Sequence, residues 1–487
     1  MNLSPQQSTA IAEIESGSGS IVLSAVAGAG KTSTLIEMLS KTKGSVAFCA
    51  FNKSIAQEIE QKVNKKKIDN VKVGTLHSFG FGAVRRAFSN VKVDGNKLKK
   101  IAAEEFTGKY FNVIPFVTQT VAMAKEVGIG ACIEDEYNNW FDMIDYYDLW
   151  QVLDPSIKDE DAIDACQYLL KCSNNIRNII DFSDMIYMPI FYKLKMWQHD
   201  YVFLDEAQDT NGPRRSLVRM MLKPRGRLVA VGDHRQSIYA FTGANHDSLD
   251  LIKEEFKAKE LPLSVTFRCP KEVVKVAKQW VSHIESHESS PDGIVDKCTV
   301  ADIHKLASQQ DAVICRNTKP LVELAYNLIK NRVPCRVEGR AIGQGLIKLA
   351  TRWKVKSLSA LINKLEFYKE KQIEKNKKKG KEELCQLIED QVDTLFVFID
   401  QCKLDDTVET LIKKIEELFG DTEGTQEVLT LSTIHKSKGR EWHRVFALKM
   451  DEYSPSKYAK EDWQIQQENN LCYVQVTRAK HHLTLVE

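Results

Sequence analysis

One short stretch constrains this chain more than any other. The apolar run Ile21-Val22-Leu23-Ser24 leads into Ala25-Val26-Ala27-Gly28-Ala29-Gly30-Lys31-Thr32 and then into the helical STLIEMLSK. A strand that ends in a glycine-containing turn and opens a helix makes a cradle for an anion. Gly28 and Gly30 permit backbone conformations and a close approach that a side chain would block. The N–H groups of residues 28–32 then converge at a helix N-terminus. The segment fits the phosphate-loop pattern with Ala25 in place of its first glycine. Ala27, Gly28, Ala29, Gly30 and Ser33 are therefore expected around a nucleotide, with Lys31 at its β- and γ-phosphates and the Thr32 hydroxyl on Mg²⁺. ATP and Mg²⁺ are the expected cofactors.

The same alternation of buried strand and polar helix recurs. Ser45–Ala50 precedes SIAQEIEQKV, Tyr201–Leu204 ends in Asp205-Glu206, and Leu228–Val231 ends in Gly232-Asp233. Continuous apolar runs with polar residues at their C-terminal ends suit a buried parallel sheet with its site along the carboxyl edge. Asp205-Glu206-Ala207-Gln208-Asp209 after such a run supplies the acidic partner of a phosphate loop. Asp205 is placed to hold the water shell of Mg²⁺, and Glu206 to orient and deprotonate an attacking water. Asp311–Cys315, Val428–Ser432 and Val445–Leu448 suggest a second sheet. Two long segments, about 85–180 and 341–425, read as helices and are too long to be loops. The outline is α/β: two parallel-sheet cores, each with a helical insertion.

Composition sets limits on this outline. The 487 residues allow about three or four compact units. With 43% hydrophobic and 28% charged residues, a disordered or low-complexity chain is excluded. The 68 Lys+Arg against 66 Asp+Glu leave a net charge of +2, so any nucleic-acid surface must be a local groove. The 11 cysteines form no CxxC pair and no His sits at finger spacing, so buried free thiols are expected and neither zinc nor an iron–sulfur cluster. No run approaches the ~20 apolar residues of a membrane span, and MNLSPQQSTA does not resemble a signal peptide.

The motifs, in chain order, are LSPQQ, AVAGAGKT, AFNKSIAQEI, GTLHSFG, DFSDMI, DEAQD, VGDHRQSIYAFTGA, FRCP, LSTIHKSKGREW and LCYVQVTRAK. Together they resemble the superfamily 1 DNA helicases of the UvrD/Rep type, and the FNKS and FRCP variants resemble the branch of F-box DNA helicases and phage-type enzymes. The resemblance implies two RecA-like cores with one nucleotide between them. Residues 1–84 and 181–250 would form the first core, 85–180 its helical insertion, 251–340 and 426–487 the second core, and 341–425 a small second insertion.

It also implies roles. Gln7 would read the adenine edge with its amide, Phe267 would stack on the adenine, and Glu441 would meet the ribose. Arg268 and Arg478 would approach the γ-phosphate, and Gln236 would sense it. Asn52, Thr75, His77, Thr433 and His435 are the implied phosphate or sugar contacts to single-stranded DNA, with Tyr239 and Phe241 as stacking platforms. Departures from the family pattern include Ser33 in place of a basic residue, Gln467-Glu468-Asn469-Asn470 in place of EExR, and a short second insertion. The last leaves two activities open: a helicase moving 3′→5′ on single-stranded DNA in replication, repair or recombination, or a translocase that strips bound proteins without processive unwinding. A nucleotide-switched scaffold with little turnover is disfavoured, because Glu206, Gln236 and both arginines are present. The expected partners are single-stranded DNA, duplex junctions and single-strand-binding or recombination proteins, with no membrane. The expected state is a cytoplasmic, nucleoid-associated monomer, or one in the host cytoplasm if phage-encoded.

Overall fold

The computed structural model describes residues 3–147, 149–154, 156–238, 247–378, 382–403, 405–419, 428–459 and 462–487. The chain folds as two compact units, one of Met1–Ala25 with Gly30–Leu263 and one of Val26–Ala29 with Ser264–Glu487.

The first unit is built on six parallel strands. Their spatial order is Val71–Thr75, Val46–Ala50, His199–Leu204, Leu222–Gly232, Ile21–Ala25 and Lys259–Leu263. Val46–Ala50 is buried at every position, as a strand covered on both faces must be. In register, Val22 lies opposite Ala230 on one side and Glu260 on the other. Parallel pairing brings the ends of Ile21–Ala25, His199–Leu204 and Leu222–Gly232 to one edge, which gathers the loop at Lys31, the acids Asp205 and Glu206, and Asp233. The expected division at residue 250 falls inside the helix Ser248–Glu255. Lys259–Leu263 then completes the first sheet, so the first unit runs to Leu263. That strand begins with the charged pair Lys259-Glu260 and carries Pro262 within it, which hid it beside the continuous apolar runs of the central strands.

The helices Lys97–Glu105, Ile114–Val127, Tyr137–Tyr146 and Asp159–Asn175 surround a core of their own, centred on the fully buried Phe116, Trp140, Ile144 and Leu169. This helical region is fixed to the rest of its unit by a buried ion cluster. The Lys125 ammonium donates to Asp184 (2.6 Å), Asp181 (2.8 Å) and the Ser173 hydroxyl (2.9 Å), while Lys97 donates to the other Asp184 oxygen at 2.7 Å. Burial opposes the charge on Asp184, but the two ammonium groups hold its carboxyl below the usual range.

The second unit repeats the theme. Its strands run Ile294–Cys298, Ala479–Val486, Trp442–Leu448, Ala312–Cys315, Leu429–Thr433 and Cys335–Val337, again all parallel. The expected second insertion packs differently from the first. Leu361, Phe398, Leu411 and Phe419 from its helices share one core with Val313 and Leu431 of the sheet. The Asp390 carboxylate reaches from the helix Glu382–Asp400 to accept the N–H groups of Thr318 and Lys319. It is therefore an outgrowth of the second core rather than a body with its own interior. All eleven cysteines are free; six are buried, but Cys132 is exposed, against the expectation of burial. Among the described residues, no helix is long and apolar enough to cross a membrane.

Candidate nucleotide and nucleic-acid sites

In the first unit, Gly30 takes a left-handed conformation (φ 73°) as the N-cap of the helix Lys31–Leu39, the position where a side chain would be strained. Lys31 then points its ammonium at Glu206, 2.8 Å away. Burial works against the charged lysine, yet Glu206, Asp205 and Asp233 together raise its affinity for its proton. Glu206 itself holds a left-handed backbone (φ 50°, ψ 45°), uncommon for a residue with a Cβ and costly by about 1 kcal/mol. Such strain persists where the surroundings over-determine it. Here the Glu206 N–H donates to Asp205 Oδ1 at 2.9 Å, and the Gln208 amide donates to the second Glu206 oxygen. The amide oxygen of Gln208 in turn accepts the Asp233 N–H (3.1 Å), and Asp233 accepts from the Gln236 side chain (2.7 Å).

A chain of contacts therefore runs from Lys31 through Glu206, Gln208 and Asp233 to Gln236. Of these, Gln208 and Asp233 were quoted in the sequence motifs without a role; their function as struts depends on two strands meeting side by side. Burial and the neighbouring Glu206 push the Asp205 carboxyl up to about 6. Two acids this close, one deeply buried, are chemically suited to a cation. Together with the half-buried Thr32 hydroxyl, Asp205 offers the small oxygen set that Mg²⁺ uses when phosphates and water complete its shell. Among the described residues, no three His, Cys, Asp or Glu side chains form a metal cage of protein ligands.

Gln7 is buried with its amide committed. Its Oε1 accepts the Ser4 N–H (2.9 Å) in a capping box, and its Nε2 donates to Thr34 (3.0 Å).

In the second unit, Phe267 is 39% exposed and stacks on His287 with ring centres 4.7 Å apart. Arg268 pairs with Glu441 (2.5 Å), and Lys480 stands 3.7 Å from the same carboxylate. Two residues expected at different parts of a nucleotide thus neutralise each other here. Arg478 is almost fully buried; its guanidinium donates to the carbonyls of Val474 (3.0 Å) and Arg440 (3.2 Å) and to the Thr477 hydroxyl. Residues 26–29 belong to this unit, and within it the Ala27 N–H donates to the Tyr473 hydroxyl at 2.8 Å. Sequence reading assigned Tyr473 no part; it lay unremarked within LCYVQVTRAK.

Three candidate DNA contacts prove to be helix N-caps. Asn52 accepts the Ile55 N–H (2.9 Å), Thr75 the Ser78 N–H (3.2 Å) and Thr433 the Lys436 N–H (3.4 Å). Each lies at or just past the carboxyl end of a parallel strand, so each also sets a partly positive helix end at that edge. His77 lines a cavity of about 320 Å³ together with Phe51, Arg214, Asp205 and Glu206, and burial followed by Arg214 lowers its pKa. His435 is lowered further, to about 3, by burial, Arg316 and Lys438. Tyr239 and Phe241 lie outside the described residues.

Comparison with known proteins bears on what these arrangements are for. The model of the UvrD/REP helicase N-terminal domain matches residues 3–257, and that of the UvrD-like helicase C-terminal domain matches residues 348–487. The chain belongs to the UvrD/REP helicase family. Similar curated proteins include the ATP-dependent DNA helicase Rep of Escherichia coli strain K12, 26% identical over 312 residues, which are 58% of this chain and 44% of that protein. The ATP-dependent DNA helicase PcrA of Staphylococcus epidermidis (strain ATCC 35984) is 21% identical over 316 residues, 60% of this chain and 41% of PcrA. A probable DNA helicase II homolog of Mycoplasma pneumoniae is 32% identical over 126 residues, 24% of this chain and 18% of that protein. This member of the UvrD/REP family thus spans less than half the length of the relatives it matches.

Proposed function

We propose that this chain is an ATP-dependent motor that moves 3′→5′ along single-stranded DNA and separates duplex ahead of it. The observation that carries the reading is the Lys31–Glu206 pair, with Glu206 held in a strained turn directly after the buried Asp205. Lys31 is poised to exchange a carboxylate for a phosphate. When ATP enters, its phosphate takes the ammonium, and Glu206 is released to accept a proton from the attacking water. Asp205 and Thr32 would hold Mg²⁺, which when bound would supply charge neutralisation at the phosphates. The chain Glu206–Gln208–Asp233–Gln236 transmits the state of the phosphate to the segment after Gln236, where the implied DNA platforms Tyr239 and Phe241 follow. Arg268 and Arg478 are proposed to meet the γ-phosphate in the nucleotide-bound state, which requires Arg268 to leave Glu441. Stepping then needs ATP to favour one arrangement of the DNA contacts over the other.

The test is ATP hydrolysis with and without single-stranded DNA, with Lys31→Ala as the blank. Strong stimulation is expected, followed by unwinding of duplexes with a 3′ single-stranded tail and not of those with a 5′ tail. DNA-stimulated hydrolysis that displaces a bound protein but leaves tailed duplexes intact would replace the helicase reading with the translocase one. Hydrolysis indifferent to DNA would overturn both.

A further inference from the structure

Away from the phosphate loop, the first unit contains a cleft of about 480 Å³ bordered by the helices Asp159–Asn175 and Asp184–Phe191. Its wall is aromatic. Tyr187 stacks on Phe191 (5.6 Å, 16°), Phe191 meets Tyr192 edge-on at 4.9 Å, and Tyr168 stands 47% exposed at the rim. Asn174 also lines it, and Asn174 is 93% buried by its 7% exposure. Its Nδ2 donates to the Tyr187 hydroxyl (3.4 Å), but its Oδ1 is buried and has no partner among the described residues. Tyr187 cannot supply one, because its own hydroxyl proton goes to the Ile129 carbonyl at 2.9 Å. A buried amide oxygen without a donor is costly, and native structures retain few of them. Two exposed cations, Lys171 and Arg177, complete the lining, with the Arg177 guanidinium 5.0 Å from the Tyr192 ring. Asp135, also on the wall, accepts the Trp140 indole N–H and the Gln167 amide at its Oδ1.

An occupant that answers these features is flat and aromatic, carries negative charge toward Lys171 and Arg177, and offers an N–H to Asn174 Oδ1. That oxygen is covered here and is reached only when the side chain turns toward the cleft. We propose that the cleft binds an unstacked nucleotide: a base with an exocyclic amine or ring N–H against Asn174, and its phosphate at the two cations. Stacking on rings of this kind accepts any base face, and the amide sets the edge. The nucleotide has two sources, a single strand or a free mononucleotide; only the first rests on the DNA-binding reading above.

The test uses the full chain and two photoreactive probes. One is single-stranded DNA carrying 5-iododeoxyuridine, and the other is 8-azidoadenosine monophosphate with the Lys31→Ala variant, so that the phosphate loop is silenced. Adducts are mapped by mass spectrometry. We expect adducts on Tyr168, Phe191 or Tyr192. Lys171→Glu, a change at an exposed side chain, should cut their yield roughly five-fold at unchanged thermal melting. Adducts from DNA alone assign the strand as the source, and adducts from the mononucleotide assign the free ligand. No adduct between residues 167 and 192 from either probe, or a yield that Lys171→Glu does not change, overturns the proposal. DNA-stimulated hydrolysis without cleft adducts would sink this inference and leave the motor standing. Mononucleotide adducts in a protein whose hydrolysis ignores DNA would do the reverse.

Discussion

Glu206 joins chemistry and backbone strain in one residue. Replacing it with Gln keeps the turn but removes the base, so turnover should fall by about 10²–10³ while nucleotide affinity stays near wild type. Glu206→Gly removes the side chain and also the left-handed penalty, so this variant should lose turnover equally yet melt no lower than the parent. Calorimetry beside steady-state hydrolysis checks both expectations, and a Gly variant that melts well below the parent would show that the Lys31 pair matters more than the strain. His435 gives a second prediction. Its folded pKa of about 3 lies below the ordinary 6.5, so the unfolded chain takes up a proton first as the pH falls. Stability from this group is complete above about pH 6.5 and is lost progressively toward pH 3. His435→Gln should flatten the decline of Tm between pH 6 and 4 by up to one proton's worth of slope, and an unchanged slope would refute the assignment. The residue types at these positions were visible in the motifs. The environments that tune them were not, because Arg316 reaches His435 only through the tertiary fold.

Elements explain motifs that chemistry alone does not. GTLHSFG ends in Gly80, and a Cβ there would lie 1.9 Å from the Met185 carbonyl oxygen. That glycine lets the helix Leu76–Ala87 lie against the helix Asp184–Phe191, so its reason is packing and not phosphate contact. DFSDMI has a similar explanation. Asp181 and Asp184 cap each other's backbone (3.0 and 2.8 Å) and clamp Lys125 and Lys97. Removing one buried partner leaves the others uncompensated, so Lys125→Met should cost about 3–5 kcal/mol in urea unfolding. A cost under about 1 kcal/mol would mean that water reaches the cluster. The long amphipathic helices and apolar strands were legible from periodicity. The two-residue pairing of Lys92–Val93 with Ile179–Ile180 was not, since two residues carry no period.

For the whole molecule, the last strand has a disproportionate role. Ala479–Val486 pairs with Trp442–Leu448 on one side and Ile294–Cys298 on the other, so the chain's final residues lie inside the second sheet. Truncation before Ala479 should unfold the second unit and leave the first, and limited proteolysis should then yield a resistant fragment ending near Leu263. A truncated chain that resists protease throughout would contradict this division.

By itself, the sequence determined what is local and chemically specific: the phosphate loop after Ile21–Ser24, the acids Asp205 and Glu206, the buried strand runs and the two long helical segments. Each follows from neighbours within one turn or one strand, where steric and hydrogen-bonding rules act directly. Only the tertiary structure decided the strand order, the merging of the second helical segment into the second core, the pairing of Arg268 with Glu441 and the capping roles of Asn52, Thr75 and Thr433. It also made Gln208 and Asp233 struts for Glu206. These depend on residues far apart in the chain that meet only after burial of apolar surface has set the packing, and burial is blind to which polar partners it will bring together.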